Sequence, residues 1–206
     1  MAYSDYTLSE IKDKFQIVTE AQTNIFSDVR EEKISGLLNE ILEENIPLAL
    51  AIHTEKARSE MIVAPILIEL RKMLNRRISL FSGVEFNIDR EKGLNGVCDY
   101  IISLSKEQFY ITSPIILLVE AKNENIKSGL AQCAAEMIAA RIFNGQKGNR
   151  ISSVYGIVTT GSNWRFLKLE DLLYIDVKEY YIGQIGKIMG IMLQIIRSEL
   201  DVSDSQ

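Results

Sequence analysis

Pro114-Ile115-Ile116-Leu117-Leu118-Val119-Glu120-Ala121-Lys122 is a short run rich in Ile, Leu and Val that reads as a strand, yet it carries two charged residues at its end. Charges in apolar surroundings are costly unless something compensates them. Two further runs upstream, Leu80 to Ile88 and Gly96 to Ser103, have the same character and are separated by turn signals from Asp89 to Gly96. The second holds another such charge, Asp99, in Val97-Cys98-Asp99-Tyr100-Ile101.

Downstream, Ile126 to Phe143 takes helical spacing through Leu130, Cys133, Ala134, Met137, Ile138 and Arg141, with Asn144-Gly145 as its expected stop. Ser153 to Thr159 and Trp164 to Leu169 read as strands joined by a turn at 160–163, with Leu172 to Val177 a further strand. A last helix carries Ile185, Ile188, Met189, Met192, Ile195 and Ile196. Upstream of the strands, Asp28 to Glu44 shows an amphipathic stripe, and Leu8 to Val18 suggests a shorter helix. Thr54 caps a helix that runs to about Leu74 and is bent at Pro65, which lacks an amide donor. The expected fold is therefore α/β, a central mixed β-sheet flanked by helices. One domain is expected: a helical extension over 1–50, a core over 51–180, and a C-terminal helix and tail over 181–206.

The composition fits a folded chain: 206 residues, 47% hydrophobic and 25% charged, with 3 Pro and 12 Gly. A net charge of -5 excludes a surface that is basic throughout, so any nucleic-acid contact must use a local patch. Cys98, Cys133 and His53 are the whole complement of those two residue types, which excludes a zinc finger and a disulfide framework. Met1 to Thr7 shows no secretory signal, and a cytoplasmic protein is expected. Tyr181 to Ile196, interrupted by Gln184, Lys187 and Gln194, falls short of the ~20 residues a bilayer span needs, so no membrane association is expected.

Strand alternation puts Glu120 and Lys122 on one face, about 6.6 Å apart. If the strands bearing Asp99 and Glu120 are neighbours, about 4.8 Å apart, the two carboxylates converge on a spot that suits a divalent cation. Mg (or Mn) fits oxygen ligands from Asp99, Glu120 and the Ala121 carbonyl, completed by water and phosphate oxygens. Lys122 then stands beside a water poised to attack a phosphodiester.

Asp99, followed after 20 residues by Glu120-Ala121-Lys122, resembles the core of the PD-(D/E)xK restriction-endonuclease-like superfamily. The resemblance covers roughly Thr54 to Leu169. Glu60 resembles the helix acid that many members aim at the metal, and Gln132 the helix glutamine of several branches. Thr159 to Phe166 is similar to a strand-turn-strand in members related to type I restriction subunits. Cys98 stands where the motif has Pro, and Glu136 where one branch has Tyr. The resemblance implies a restriction-endonuclease-like core and a Mg-dependent nuclease acting on nucleic acid, with DNA the expected substrate. Asp99, Glu120, Lys122, Glu60 and Gln132 would be its catalytic residues.

Other features read more plainly. His53 suits a surface or capping role, and Trp164 and Tyr180-Tyr181 suit packing. Lys56, Arg58, Arg71, Lys72, Arg76 and Arg77 make one basic region, and Lys147 and Arg150 a second, either of which could contact phosphate. Gly186 and Gly190 suggest close helix packing within the chain, with a homodimer or protein partner left open. Two rival functions stand beside the nuclease. A nuclease-fold scaffold that binds nucleic acid or a partner without turnover accords with the acidic net charge. A metal-free carboxylate enzyme such as a glycosidase needs an acid of raised pKa, which Lys122 opposes at Glu120.

Overall fold

A computed structural model describes residues 1–149 and 151–203. Its strands are β1 (Thr19–Glu20), β2 (Ser79–Glu85), β3 (Val97–Ser103), β4 (Ile115–Ala121), β5 (Val154–Thr159), β6 (Asn163–Leu169), β7 (Leu173–Ile175) and β8 (Tyr180–Tyr181). The helices are α1 (Leu8–Phe15), α2 (Gly36–Ile52), α3 (Glu55–Arg58), α4 (Ala64–Met73), α5 (Ile126–Gln146) and α6 (Ile185–Ser203). The strands form one mixed sheet in the order β1-β7-β6-β5-β4-β3-β2, with β8 on β6.

β4 sits inside this order, and every one of its residues is buried. Its partner β5 is parallel, so the chain must cross over between them, and α5 makes that crossing. One side of the sheet packs on α5 through Leu118, Leu130, Cys133 and Met137, joined by Tyr3 and Ile11 from the N-terminal segment. The other side packs on α2, α4 and α6 through Leu42, Ile66, Leu70, Ile188 and Met192. A mixed sheet between helices is the expected class, and β2, β3 and β4 fall within three residues of their expected limits.

The differences have physical causes. Residues 1–50 contribute a strand as well as helices, because β1 pairs parallel with β7 at the sheet's edge. The amphipathic helix begins at Gly36, not Asp28, capped by Ser35 Oγ accepting from the Leu38 amide. Residues 27–32 instead spend their backbone groups on α6: Glu32 N–H donates to Gly186 O at 2.9 Å, and Lys187 Nζ donates to the carbonyls of Ser27 and Val29. This contact accounts for the Gly186 and Gly190 spacing as packing within the chain. Thr54 does cap α3, Oγ1 accepting from Ala57 N. Ahead of Pro65 the helix widens into a π turn at Ser59–Val63, before α4 begins. Asn45 Nδ2 donates to the Met61 carbonyl at 2.9 Å, the acceptor that a proline four residues on leaves without its helical donor.

α5 does not stop at Asn144. That residue is buried within the helix, its Oδ1 accepting from Ile115 N at 2.7 Å and its Nδ2 donating to Ile115 O at 2.8 Å. One side chain thus satisfies both backbone groups where β4 begins. Asn144→Ala orphans a buried donor and acceptor, and a loss of about 3 kcal/mol is expected, a Tm fall of about 6–12 °C. Thermal unfolding measures the loss, and faster amide exchange at Ile115 locates it.

No helix among the described residues is long and apolar enough to cross a membrane. Cys98 and Cys133 are both buried free thiols. Arg150 of the second basic cluster and the end of the acidic tail, 204–206, lie outside the described residues.

Candidate metal centre

The antiparallel register of β3 and β4 pairs Tyr100 with Val119, so Asp99 stands across from Glu120 where the ladder ends. Asp99 Oδ2 accepts from Ala121 N at 2.8 Å, replacing the next rung of the ladder with a side chain. Glu120 is 1% exposed. Its Oε1 accepts from Lys122 Nζ at 2.5 Å, while its buried Oε2 receives no N–H or hydroxyl bond among the described residues, and the Asp99 carboxyl stands within hydrogen-bonding reach of Glu120. Lys122 Nζ also donates to Gln132 Oε1 at 3.2 Å, and Gln132 Nε2 donates to Glu136 Oε1 at 3.1 Å.

α5 can lie this close because of Gly129. A Cβ there would stand 2.6 Å from Val158 and 3.1 Å from Lys122 Cγ, so glycine leaves room for the lysine stem. Four of the five residues expected in the site, Asp99, Glu120, Lys122 and Gln132, are thereby linked along the end of two strands and one helix. Glu136 completes the row, 0% exposed and with its Oε2 likewise receiving no N–H or hydroxyl bond among the described residues.

Burial dominates the electrostatics. It pushes the Glu120 carboxyl up, reinforced by the Asp99 charge, to about 8, outweighing the pull of the Lys122 ammonium. Asp99 is raised by burial against the favourable Ala121 amide, and Glu136 is raised well above the carboxylate range by burial and then by Glu120. Burial would lower Lys122, but Glu120 beside it more than compensates and its pKa rises. Three carboxyls therefore share one ammonium, and burial favours the protonated form of Glu120 and Glu136 over an uncompensated negative charge.

In front of Asp99 lies a cleft of about 240 Å³, lined by Glu55, Ser59, Glu60, Gly83 and Ala121 among others. Glu60 stands on its rim, exposed and paired with Lys56 at 3.7 Å. Glu120 lies behind the Asp99 wall and does not line the cleft.

Comparisons with protein-family models, curated proteins and solved structures find no match for this chain. The chemistry of the site therefore carries the functional reading. Among the described residues no three His, Cys, Asp or Glu side chains form a ready metal cage. What is present is a pair of carboxylates and the Ala121 carbonyl, all hard oxygen donors, with one buried Glu120 oxygen that receives no N–H or hydroxyl bond among the described residues. This set fits a cation that keeps most of its own waters, as Mg does.

The basic residues are not where a rim beside the metal requires them. Arg58 is buried, and its Nη1 donates to Thr160 O at 2.9 Å and to Ser162 Oγ at 3.3 Å, clamping the β5–β6 turn. Arg71, Lys72, Arg76 and Arg77 belong to the last turn of α4 and its exit into β2, whose start pairs with Ser103 and not with the Asp99 end of β3. Lys147 caps α5 at the end that holds the start of β4. Among the described residues, Lys56 is the basic side chain left exposed at the cleft. His53 is exposed and pairs with Glu124, and Trp164 is buried with its indole N–H donated to Gly161 O. Tyr180 is buried while Tyr181 is exposed.

Sequence reasoning left three neighbours of the site without a role. Glu136 sits in Cys133-Ala134-Ala135-Glu136-Met137, an acid in an apolar helix run, the same signal that singles out Glu120 in its strand. Ser59, at the start of the π turn, and Tyr100 share a hydroxyl bond of 2.7 Å at the cleft wall, which no linear pattern records.

Proposed function

We propose that this chain is a divalent-metal-dependent nuclease of the PD-(D/E)xK restriction-endonuclease-like superfamily, near the type I restriction subunit branch. It hydrolyses phosphodiester bonds of DNA in the cytoplasm. The observation that carries the reading is the pairing of Asp99, which lines the cleft, with Glu120 buried directly behind it, two carboxyls whose mutual approach raises the Glu120 pKa. Asp99, Glu120 and the Ala121 carbonyl would hold Mg or Mn, which when bound supplies Lewis-acid polarisation of a phosphoryl oxygen and acidifies water. Lys122 presents its ammonium to negative charge that develops as the phosphorus–oxygen ester bond breaks. Gln132 holds that ammonium in place, and Glu60 on the rim orients groups entering the cleft.

A second reading, a scaffold without turnover, draws on the two bonds that occupy Lys122 and on Glu55 and Glu60 at the cleft, which repel phosphate. Cleavage of plasmid and of single-stranded DNA with Mg or Mn separates the two. Lys122→Ala is expected to cut about 100-fold more slowly than wild type. Identical traces from both proteins would assign the fold to a scaffold.

A further inference from the structure

Two aromatic rings project into solvent from the β3–β4 loop, Phe109 at 97% exposure and Tyr110 at 63%. Neither serves the core, and leaving large apolar surface in water is unfavourable unless something covers it. The loop that carries them is well held. Glu107 Oε1 accepts from Phe109 N at 2.8 Å, Ser103 Oγ donates to Thr112 O at 2.6 Å, and Leu104 N donates to Pro114 O at 2.9 Å. Gln108 then fixes its position: Nε2 donates to Leu80 O at 2.7 Å and Oε1 accepts from Leu80 N at 3.2 Å.

That clamp sets the rings beside β2, the edge strand of the sheet. Leu80 is three residues from Gly83, which lines the cleft, so the clamp lies about 10 Å from it at the usual strand rise. Exposed Lys106 shares the loop, and exposed Arg76 lies four residues before the clamped Leu80, two cations near this loop in a chain of net charge -5.

We infer that Phe109 and Tyr110 are a base-stacking platform for an unpaired nucleic-acid strand that runs along the β2 edge into the cleft. Only an unpaired strand exposes base faces to such rings, and stacking on them tolerates any sequence. A duplex hides those faces and asks for a broad basic surface that this chain lacks. Lys106 and Arg76 supply the few phosphate contacts a single strand needs. The inference rests on the nucleic-acid reading of the cleft and narrows its substrate to single-stranded or locally opened nucleic acid.

The test is fluorescence anisotropy of a labelled oligothymidylate in EDTA, which separates binding from cleavage. Wild type is expected to bind it more tightly than a duplex of the same length. Phe109→Ala and Tyr110→Ala are each expected to weaken binding about 5- to 100-fold, with Tm unchanged because both rings are exposed. Lys106→Ala is expected to flatten the dependence of log Kd on log salt by about 0.7. Equal binding by wild type and the double aromatic variant overturns the inference. So does absence of wild-type binding, which would assign the rings to a protein contact. Binding that depends on the rings, without cleavage in Mg or Mn, sustains the platform and defeats the nuclease. Cleavage with binding indifferent to the rings does the reverse.

Discussion

Glu120→Gln is expected to lower cation-dependent cleavage by about 1000-fold or more, the loss of about 4 kcal/mol of transition-state stabilisation. It should also abolish the rise in Tm that Mg or Mn gives the wild type. A cation bound by the folded state alone, at a hundredfold excess over its Kd, stabilises by about 2.7 kcal/mol, a Tm shift of about 5–10 °C in a chain of this size. The same carboxyl sets a pH dependence. Folded Glu120 keeps its proton up to about 8, whereas its ordinary value is 4.5, so between these values the folded chain binds more protons than the unfolded one. Stability without cation must then fall as pH rises through that window. Because the cation competes with the proton, its effect on Tm should be larger at pH 8 than at pH 5. Unfolding curves in EDTA and in Mn at both values check this, with Glu120→Gln showing the shallower slope. Equal slopes for wild type and Glu120→Gln in EDTA would show that this carboxyl is ionised throughout.

What could be read from the sequence depended on whether a local pattern had a local cause. β3 and β4 were legible because burial in a sheet covered on both sides selects Ile, Leu and Val, and a charge among them is conspicuous. Their pairing was only a condition of the reading, and the register meets it by setting Asp99 opposite Glu120. The helix limits were less legible where tertiary contacts overrode a cap signal. Asn144-Gly145 looks like a helix stop because Asn and Gly commonly end helices, but this Asn is consumed by Ile115, 29 residues away. Residues 28–35 fall within the expected helix, yet Val29 and Glu32 give backbone groups to α6 and Ser35 N donates to Glu69 Oε1. The basic residues misled for a related reason. Charge clusters in sequence reveal nothing of direction, and Arg58 turns inward to a distant turn while the α4 exit lies a strand's length from Asp99.

The contact that holds residues 27–32 on α6 also yields an expected loss of stability at least as large as that of Asn144→Ala. A Cβ on Gly190 would stand 2.1 Å from the Arg30 carbonyl oxygen, inside any tolerable separation and against backbone that cannot rotate away. Gly190→Ala must therefore push residues 29–32 off α6, strain the Glu32 to Gly186 bond, and open the packing of Val29 on the core. Overpacking of this kind costs about 3 kcal/mol or more, a Tm fall of about 6–12 °C. Gly186→Ala meets the Glu32 carbonyl at 3.1 Å, a distance that a few tenths of an ångström relieve, and about 1 kcal/mol is expected. Gly36→Ala meets nothing within 4 Å at the first position of α2, so it should be neutral or gain slightly from the helix preference of alanine. The ranking across the three variants discriminates steric cause from helix propensity. If propensity governed, all three alanines would stabilise; close approach of two backbones predicts that only the one at residue 36 does.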